Sequence, residues 1–204
     1  MFTYPPIAAS AGTAFREFDA HVFAKTDGRN TRWEWSRKRG WYKQGTRERL
    51  FDESDLEFGP AIAIFQETLA DPVARVFRDN RWDRAVAFAE YHGERSLGGV
   101  LVPGDAMRLA LFDVAVDDHL LDPREYVRQF AERDAIESAD YLGRQRWTRG
   151  FVERVYRGEV AGASHEGVVG KGLRGEMAKA KSKLWFDAVR ARYAPDLAEK
   201  IANS

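Results

Sequence analysis

Lys25 lies where an apolar segment meets a turn, in the sequence FAKTDGRN at residues 23–30. A lysine amine attacks an electrophile only as the free base, and near its ordinary pKa of about 10.4 it is almost fully protonated. Burial or neighbouring cations disfavour the ammonium form and so activate the nucleophile. Gly28 permits a tight turn and a close approach of the backbone to a ligand. A reactive Lys25 therefore requires other charged residues around it.

Four further motifs along the chain supply such residues. Each motif alone has an ordinary structural interpretation, such as an edge glutamate or the basic start of a helix. Their order makes that interpretation hard to sustain, because four of the five motifs lie on a predicted strand or end one. The four are FAEYHG (88–93), LFDV (111–114), EGVVGK (166–171) and KAKSK (179–183).

Other candidate sites are weaker. The glycines of GVVGKG lack the spacing of a Walker phosphate loop. The four histidines are scattered without metal-ligand spacing and are interpreted as structural. Asp117 and Asp118 follow a predicted strand and precede a helix start, which indicates a solvated turn.

Composition excludes several classes of protein. The chain has 204 residues, 44% of them hydrophobic, and equal numbers of basic and acidic residues, 32 each, so it is globular and carries no overall charge that points to nucleic acid or membrane. It contains no cysteine, which excludes disulfides, thiol catalysis and zinc sites ligated by cysteine. No apolar segment approaches a membrane span of roughly 18 residues, and the first residues lack the pattern of a signal peptide. We therefore expect a soluble, cytoplasmic protein without a membrane partner.

Hydrophobic periodicity predicts the elements that must position these motifs. Alternating segments at residues 84–93 and 107–116 predict strands, as does the segment that ends at Gly28. Residues 148–158 and the last twenty residues are predicted to be helical, the latter with a break near Pro195. Strands and helices without a βαβ rhythm predict an α+β fold with antiparallel sheets flanked by helices. Further helix starts are predicted at Pro60, Asp71-Pro72 and Asp122-Pro123, the last helix with Tyr126, Phe130 and Ile136 inward.

The segment from residue 32 to residue 49 combines aromatic and basic residues and predicts a hairpin around Gly40. Basic groups can track phosphates and aromatic rings can stack on bases, so an RNA-facing surface is one interpretation. The other is a solvated hairpin with one face in the core. Both interpretations remain open at this point.

The five motifs, in this order, resemble those of the nucleotidyltransferase superfamily of ATP-dependent DNA and RNA ligases and mRNA capping enzymes. In that superfamily the lysine of K-x-D/H-G carries the nucleotide covalently. The likeness extends over about residues 20 to 185. The asparagine at the fifth position after the lysine, Asn30, is similar to the phage-type RNA ligase branch, since DNA ligases and capping enzymes usually have arginine there. The resemblance therefore implies an ATP-grasp-like nucleotidyltransferase domain of the RNA ligase kind.

The resemblance also implies roles for individual residues. Lys25 would be the catalytic nucleophile that forms lysyl-AMP. Glu90 would hydrogen-bond the ribose, and Phe112 would stack on the adenine. Arg47 would contact the ribose or a 5′-phosphate, with Arg49 as a competing candidate. The nucleotide-binding residues implied are Asp27, Gly28, Asn30, Arg47, Glu90, Phe112, Glu166, Lys179 and Lys181.

Four of these residues would act on phosphates or metal. Asn30 would orient the AMP phosphate, and Glu166 would help to bind a metal ion or water. Lys179 and Lys181 would grip phosphates, although KAKSK also permits a register two residues later. The cofactors implied are ATP and Mg²⁺ or Mn²⁺, with the metal held mostly by water and substrate phosphates.

The activity implied is transfer of AMP to a 5′-phosphate end of RNA and its sealing to a 3′-hydroxyl. An end-processing partner protein is possible. The alternatives are a DNA ligase or other nucleotidyltransferase of the same fold, or a binding module that has lost turnover. We expect one nucleotidyltransferase domain over residues 1–204, without the OB-fold domain that DNA ligases and capping enzymes add.

Overall fold

The computed structural model of the chain describes residues 2–9, 15–94 and 104–203. The strands are β1 (Ala8–Ala9), β2 (Phe18–Ala24), β3 (Gly28–Ser36), β4 (Gly40–Gly45), β5 (Arg84–His92), β6 (Arg108–Val116), β7 (His119–Leu120), β8 (Tyr141–Trp147), β9 (Gly167–Gly172) and β10 (Met177–Lys181). The helices are α1 (Gly59–Thr68), α2 (Ala70–Asp79), α3 (Pro123–Tyr126), α4 (Arg149–Tyr156), α5 (Lys183–Arg192) and α6 (Pro195–Asn203). A π-helical turn, Val127–Ala131, continues α3.

The strands form two five-stranded sheets, in the orders β1-β10-β9-β2-β8 and β4-β3-β5-β6-β7. All pairs are antiparallel except β1 with β10. The α+β fold with antiparallel sheets flanked by helices is therefore confirmed. No helix in the described part of the chain is both long and apolar enough to cross a membrane.

Two details differ from the sequence-based expectation. The helix that begins after Asp122 ends with the π-helical turn at Ala131, so Ile136, expected on its inner face, lies in the following loop, where it is nevertheless buried. Strand β8 was not predicted. Arg144, Gln145 and Arg146 are exposed at the edge of the sheet, so its sequence, YLGRQRW, lacks the apolar alternation that indicates a strand.

The chain divides into two compact units. The first comprises the described residues within Met1–Pro5, Gly28–Gly93 and Ala106–Ala139, and the second those within Pro6–Asp27, Glu94–Asp105 and Asp140–Ser204. Each unit contains one of the two sheets. The chain leaves the second unit and enters the first between Asp27 and Gly28, inside the K-x-D-G motif. The single domain over residues 1–204 stays a prediction.

The core of the first unit lies between its sheet and the helices α1 and α2. Trp33 of β3 stacks on Phe65 of α1 with ring centroids 3.9 Å apart, and Trp35 packs edge-on against Phe77 of α2. Both tryptophans are buried. These rings of the β3–β4 hairpin therefore belong to the core, as the second interpretation of the hairpin expected. The exposed cations of residues 32–49 lie in the turn and after β4, namely Arg37, Lys38, Arg39, Arg47 and Arg49.

The core of the second unit lies on one face of its sheet. Phe18 and Val22 of β2, Trp147 of β8 and Val168 of β9 pack there against Phe151 of α4. Thr148 caps α4, since its side chain accepts a hydrogen bond from the Phe151 amide. Because side chains alternate across a strand, residues at the intervening positions of β2, β9 and β10 point to the opposite face.

Candidate functional site

Lys25 makes a close ion pair with Glu166 in the second unit. The Lys25 ammonium lies 2.8 Å from Glu166 Oε2. The Lys25 side chain is about one-fifth exposed, at 21%, whereas the Glu166 side chain is 4% exposed. The lysine therefore retains access to solvent while its counter-ion is buried.

Backbone contacts fix the position of this pair. The Lys25 amide donates to the Gly167 carbonyl oxygen at 2.9 Å, so the end of β2 is tied to the start of β9. The Ser164 hydroxyl donates to the carbonyl oxygens of Lys25 and Gly167. Gly167 has a φ of +136°, and a Cβ there would lie 2.0 Å from the Ala180 carbonyl oxygen. Only glycine fits this position, which places Glu166 immediately before β9.

Lys181 joins the pair from the last position of β10. Its ammonium lies 3.4 Å from Glu166 Oε1, so each oxygen of this carboxylate faces one lysine. Burial lowers the pKa of Lys181 from 10.5; Glu166 opposes this shift, and the charge of Lys25 adds to it. The Ser182 amide donates to the Glu166 carbonyl oxygen at 2.9 Å and holds the two segments together. Lys25, Glu166 and Lys181 form one cluster, which we call the lysine–glutamate cluster.

Lys179 lies two residues before Lys181 on β10 and is partly buried. It is opposite Val169 of β9 in the strand register. The spacing of two places both lysines on the same side of the strand. Asp27 is near enough to bear on the charge of Lys181. Thus the second unit brings Lys25, Glu166 and Lys181 together, with Asp27 acting on Lys181, and it places Lys179 on the same side of β10 as Lys181.

The first unit contains the other predicted residues. Gly28 begins β3, and a Cβ there would lie 2.5 Å from the Tyr91 carbonyl oxygen, so the close pairing of β3 and β5 requires glycine. Asn30 of β3 lies directly opposite Glu90 of β5. Both side chains are partly exposed. A directly opposite pair places the two side chains on one face of the sheet, close together.

Phe112 of β6 is partly exposed and packs edge-on against Tyr4, with ring centroids 5.0 Å apart. Tyr4 is buried, and its hydroxyl donates to Asp113 Oδ2 at 2.9 Å. Arg47 is exposed in the loop after β4, and its charge acts on the Tyr4 hydroxyl. The alternative arginine, Arg49, pairs instead with Asp55. Of the two arginines, Arg47 is therefore the one whose charge acts on Tyr4, which packs against Phe112.

The described residues contain no group of three or more histidine, aspartate or glutamate side chains close enough to hold a metal ion. The metal role predicted for Glu166 would compete with two ammonium groups, because both of its oxygens face lysines. The arrangement suits an ion-pair role for Glu166.

Solved structures share this fold. A mutant of Naegleria gruberi RNA ligase with AMP and Mn aligns with a TM-score of 0.62 and 14% identity over 92% of this chain and 53% of that one. The same ligase with PPi aligns with a TM-score of 0.62 and 16% identity over 86% of this chain and 52% of that one. A further mutant with ATP and Mn gives a TM-score of 0.60 and 14% identity over 92% and 53%.

This chain has the fold of the matched part of these RNA ligases. The resemblance to covalent nucleotidyltransferases that the motifs predicted is thereby confirmed at the level of the fold. The chain spans about half the length of the RNA ligases it matches. No protein-family model and no curated protein sequence matches it.

Within this RNA ligase fold, the sequence did not reveal two residues that hydrogen-bond to backbone groups of the lysine–glutamate cluster. Ser164 and Ser182 hold the segments that carry Lys25, Glu166 and Lys181, yet single serines carry no recognisable spacing. Ser182 also caps α5, because its hydroxyl accepts a hydrogen bond from the Trp185 amide at 3.0 Å. A serine just before a helical segment is a detectable signal for a cap. Nothing in the sequence indicates its second role beside Glu166.

Proposed function

We propose that this chain is the nucleotidyltransferase part of an ATP-dependent RNA ligase, in which Lys25 carries AMP. The observation that supports the proposal most directly is the lysine–glutamate cluster, in which a partly exposed lysine adjoins a buried carboxylate and a second lysine. The cluster lies in a fold shared with RNA ligases whose structures contain ATP, AMP or PPi. These molecules are the substrate, the transferred group and the leaving group of self-adenylylation.

In the first step, the Lys25 amine attacks the α-phosphorus of ATP. The N–P bond forms, the bond from the α-phosphorus to the bridging oxygen of the β-phosphate breaks, pyrophosphate leaves, and the amine loses a proton. Glu166 holds the Lys25 amine in place and also holds the positive charge of Lys181 next to it. Lys179 would bind phosphate oxygens, on which negative charge increases during transfer, and the positive charge of buried Lys181 would stabilise them from beside Lys25.

The later steps move AMP to RNA and then release it. An oxygen of the RNA 5′-phosphate attacks the α-phosphorus of lysyl-AMP, the N–P bond breaks, and Lys25 regains a proton. The RNA 3′-hydroxyl then attacks the activated 5′-phosphate, loses its proton and expels AMP. Asn30, Glu90, Phe112 and Arg47 of the first unit are proposed to bind the AMP group, with Phe112 stacked on the base.

The proposed cofactors are ATP and a divalent cation, Mg²⁺ or Mn²⁺. The RNA ligase structures with ATP or AMP and Mn support both. Because Glu166 is committed to two lysines and the described residues form no metal cluster, we assign no step to an ion held by protein ligands.

A strand-joining assay tests the proposal. The protein is incubated with ATP, Mg²⁺ or Mn²⁺, and an RNA that carries a labelled 5′-phosphate. We expect a 5′-adenylylated RNA and a joined product, both lost in Lys25→Arg. Parallel substrates with a DNA 3′-hydroxyl strand test the RNA assignment. Preferential joining of DNA would contradict the RNA assignment. If no substrate yields the adenylylated intermediate or the joined product, the ligase proposal is overturned.

A further inference from the structure

Lys181 is a buried cation with several partners besides Glu166. Its side chain is 6% exposed. Its ammonium lies 3.4 Å from the carbonyl oxygen of Ile201 and 3.4 Å from that of Ala202. It also lies 4.0 Å from the centre of the Trp185 ring. An ammonium has three N–H donors, and Glu166 with the two carbonyls provides three acceptors.

The two carbonyls belong to the last turn of α6. The last four carbonyl groups of an α-helix have no partner within the helix and form the negative end of its dipole. Here the Lys181 ammonium lies at the negative end of α6. The contact stabilises both groups, because a buried cation and unpaired carbonyls each cost free energy alone. Helix α6 is held in place by Ala198 and Ile201, which pack with Trp185 and Val189 of α5.

Trp185 supplies the remaining contact. It is buried at 1% exposure and follows the Ser182 cap at the start of α5. The face of an indole ring is electron-rich and attracts a cation, more strongly when water is excluded. Trp185 thus adds an aromatic contact to the three hydrogen-bond acceptors of the Lys181 ammonium.

We propose that Trp185 and the last turn of α6 form a cradle that holds Lys181 as a cation beside Glu166 and Lys25. Trp185 is then a positioning residue for AMP transfer, because it acts on the phosphate through Lys181. The role in AMP transfer rests on the function proposed above, whereas the cradle itself does not. The charged groups that bear on Lys181 are Glu166, Lys25 and Asp27, and all three belong to this unit.

The first test compares Trp185→Phe with Trp185→Leu. Both remove volume from the same buried site, so a purely structural role predicts similar losses of stability and similar rates. The phenylalanine keeps an aromatic face and the leucine does not. We expect the rate of self-adenylylation to fall about tenfold further in Trp185→Leu than in Trp185→Phe at matched folded fractions. Equal rates in the two variants would overturn the role of the ring.

The second test addresses α6 with a matched pair of substitutions. Ile201→Ala removes a buried contact of the helix, whereas Leu197→Ala changes a side chain that is 47% exposed on the same helix. We expect Ile201→Ala to slow self-adenylylation and Leu197→Ala to leave it unchanged. The same rate in both variants would contradict the cradle. If Trp185→Leu fails to fold, the comparison of Ile201→Ala with Leu197→Ala still tests whether α6 supports Lys181.

A third measurement is independent of the proposed function. Lysine side chains are labelled with carbon-13 at Cε, and the Lys181 signal is assigned by its absence in Lys181→Arg. Loss of a cation-stabilising ring should lower the pKa of Lys181 in Trp185→Leu below that of wild type and of Trp185→Phe. An unchanged titration overturns the cradle. If the pKa of Lys181 is lower in Trp185→Leu than in wild type but the wild-type protein never acquires AMP, the proposed function fails and the cradle stands.

Discussion

At the scale of single residues, the central feature is one buried carboxylate between two ammonium groups. Glu166 contacts Lys25 through one oxygen and Lys181 through the other. Breaking a buried ion pair by removing one partner is far more costly than the net value of the pair, because the remaining charge has no counter-ion. Glu166 therefore stabilises the fold and also determines where both lysines lie.

The first prediction concerns the charge of Glu166. Glu166→Gln keeps the shape of the side chain but leaves two neighbouring ammonium groups without their carboxylate. We expect the free energy of unfolding, measured by urea denaturation, to fall by about 3 kcal/mol. Glu159→Gln, at an exposed position, serves as the control and should change it by less than about 0.5 kcal/mol. Equal stabilities of the two variants would contradict the structural role assigned to Glu166.

The second prediction concerns the alkaline limit of stability. Burial, with Asp113 beside it, holds the pKa of the Tyr4 hydroxyl well above 10.0. Above pH 10 the unfolded chain releases this proton while the folded chain keeps it, so the free energy of unfolding falls as pH rises. Buried Tyr126 acts in the same direction. In Tyr4→Phe the decrease should be shallower than in wild type.

Tyr156→Phe is the control for that experiment, because Tyr156 is 37% exposed. Its stability should decrease with pH as steeply as that of wild type. A Tyr4→Phe variant whose slope above pH 10 matches both would show that the Tyr4 hydroxyl is not buried beside Asp113. Comparing slopes separates this effect from the cost at neutral pH of leaving Asp113 without its hydroxyl donor.

At the scale of elements, the β9–β10 hairpin positions Glu166 and Lys181 of the lysine–glutamate cluster. Glu166 precedes β9, and Lys179 and Lys181 lie on β10, so the pairing of these strands sets the distance between carboxylate and lysine. Lys181 lies opposite Gly167 in that register. A shift of the pairing by one residue would turn Lys181 to the other face of the sheet.

The third prediction tests that register with two glycines of the same hairpin. Gly167→Ala places a Cβ 2.0 Å from the Ala180 carbonyl oxygen, whereas a Cβ at Gly175, where φ is +83°, would meet no atom of the described residues within 4 Å. Gly175→Ala should therefore cost only the strain of a positive φ, about 1 kcal/mol. Gly167→Ala should cost more and should abolish self-adenylylation. Similar stability and activity in both variants would contradict the close packing at Gly167.

Much of this arrangement was predictable from sequence because the motifs follow one another on strands. Lys25 was predicted at the end of an apolar strand and directly follows β2, and Glu166 was predicted from the motif EGVVGK. Strand β8 was not, because its exposed edge carries Arg144, Gln145 and Arg146 in succession and shows no alternation. The contacts of Ser164 and Trp185 depend on pairing between distant segments, which one sequence does not reveal.

At the scale of the whole molecule, the formal net charge is zero, with 32 basic and 32 acidic residues. The proposed binding of RNA would therefore depend on local groups of cations rather than on an overall field. Some of the predicted site residues belong to the first compact unit and others to the second, and the K-x-D-G motif contains the point at which the chain passes from one unit to the other. The motif order along the chain therefore indicated the fold, whereas the composition of the whole chain did not.

The fourth prediction is the central one, that Lys25 becomes covalently adenylylated. The protein is incubated with ATP and either Mg²⁺ or Mn²⁺, its intact mass is measured, and the modified peptide is mapped. We predict an added mass of one adenylyl group on Lys25, in a linkage that is labile in acid and stable in base, and no adduct in Lys25→Arg. An adduct that persists in Lys25→Arg, or its absence from wild type with both metals, would contradict the account.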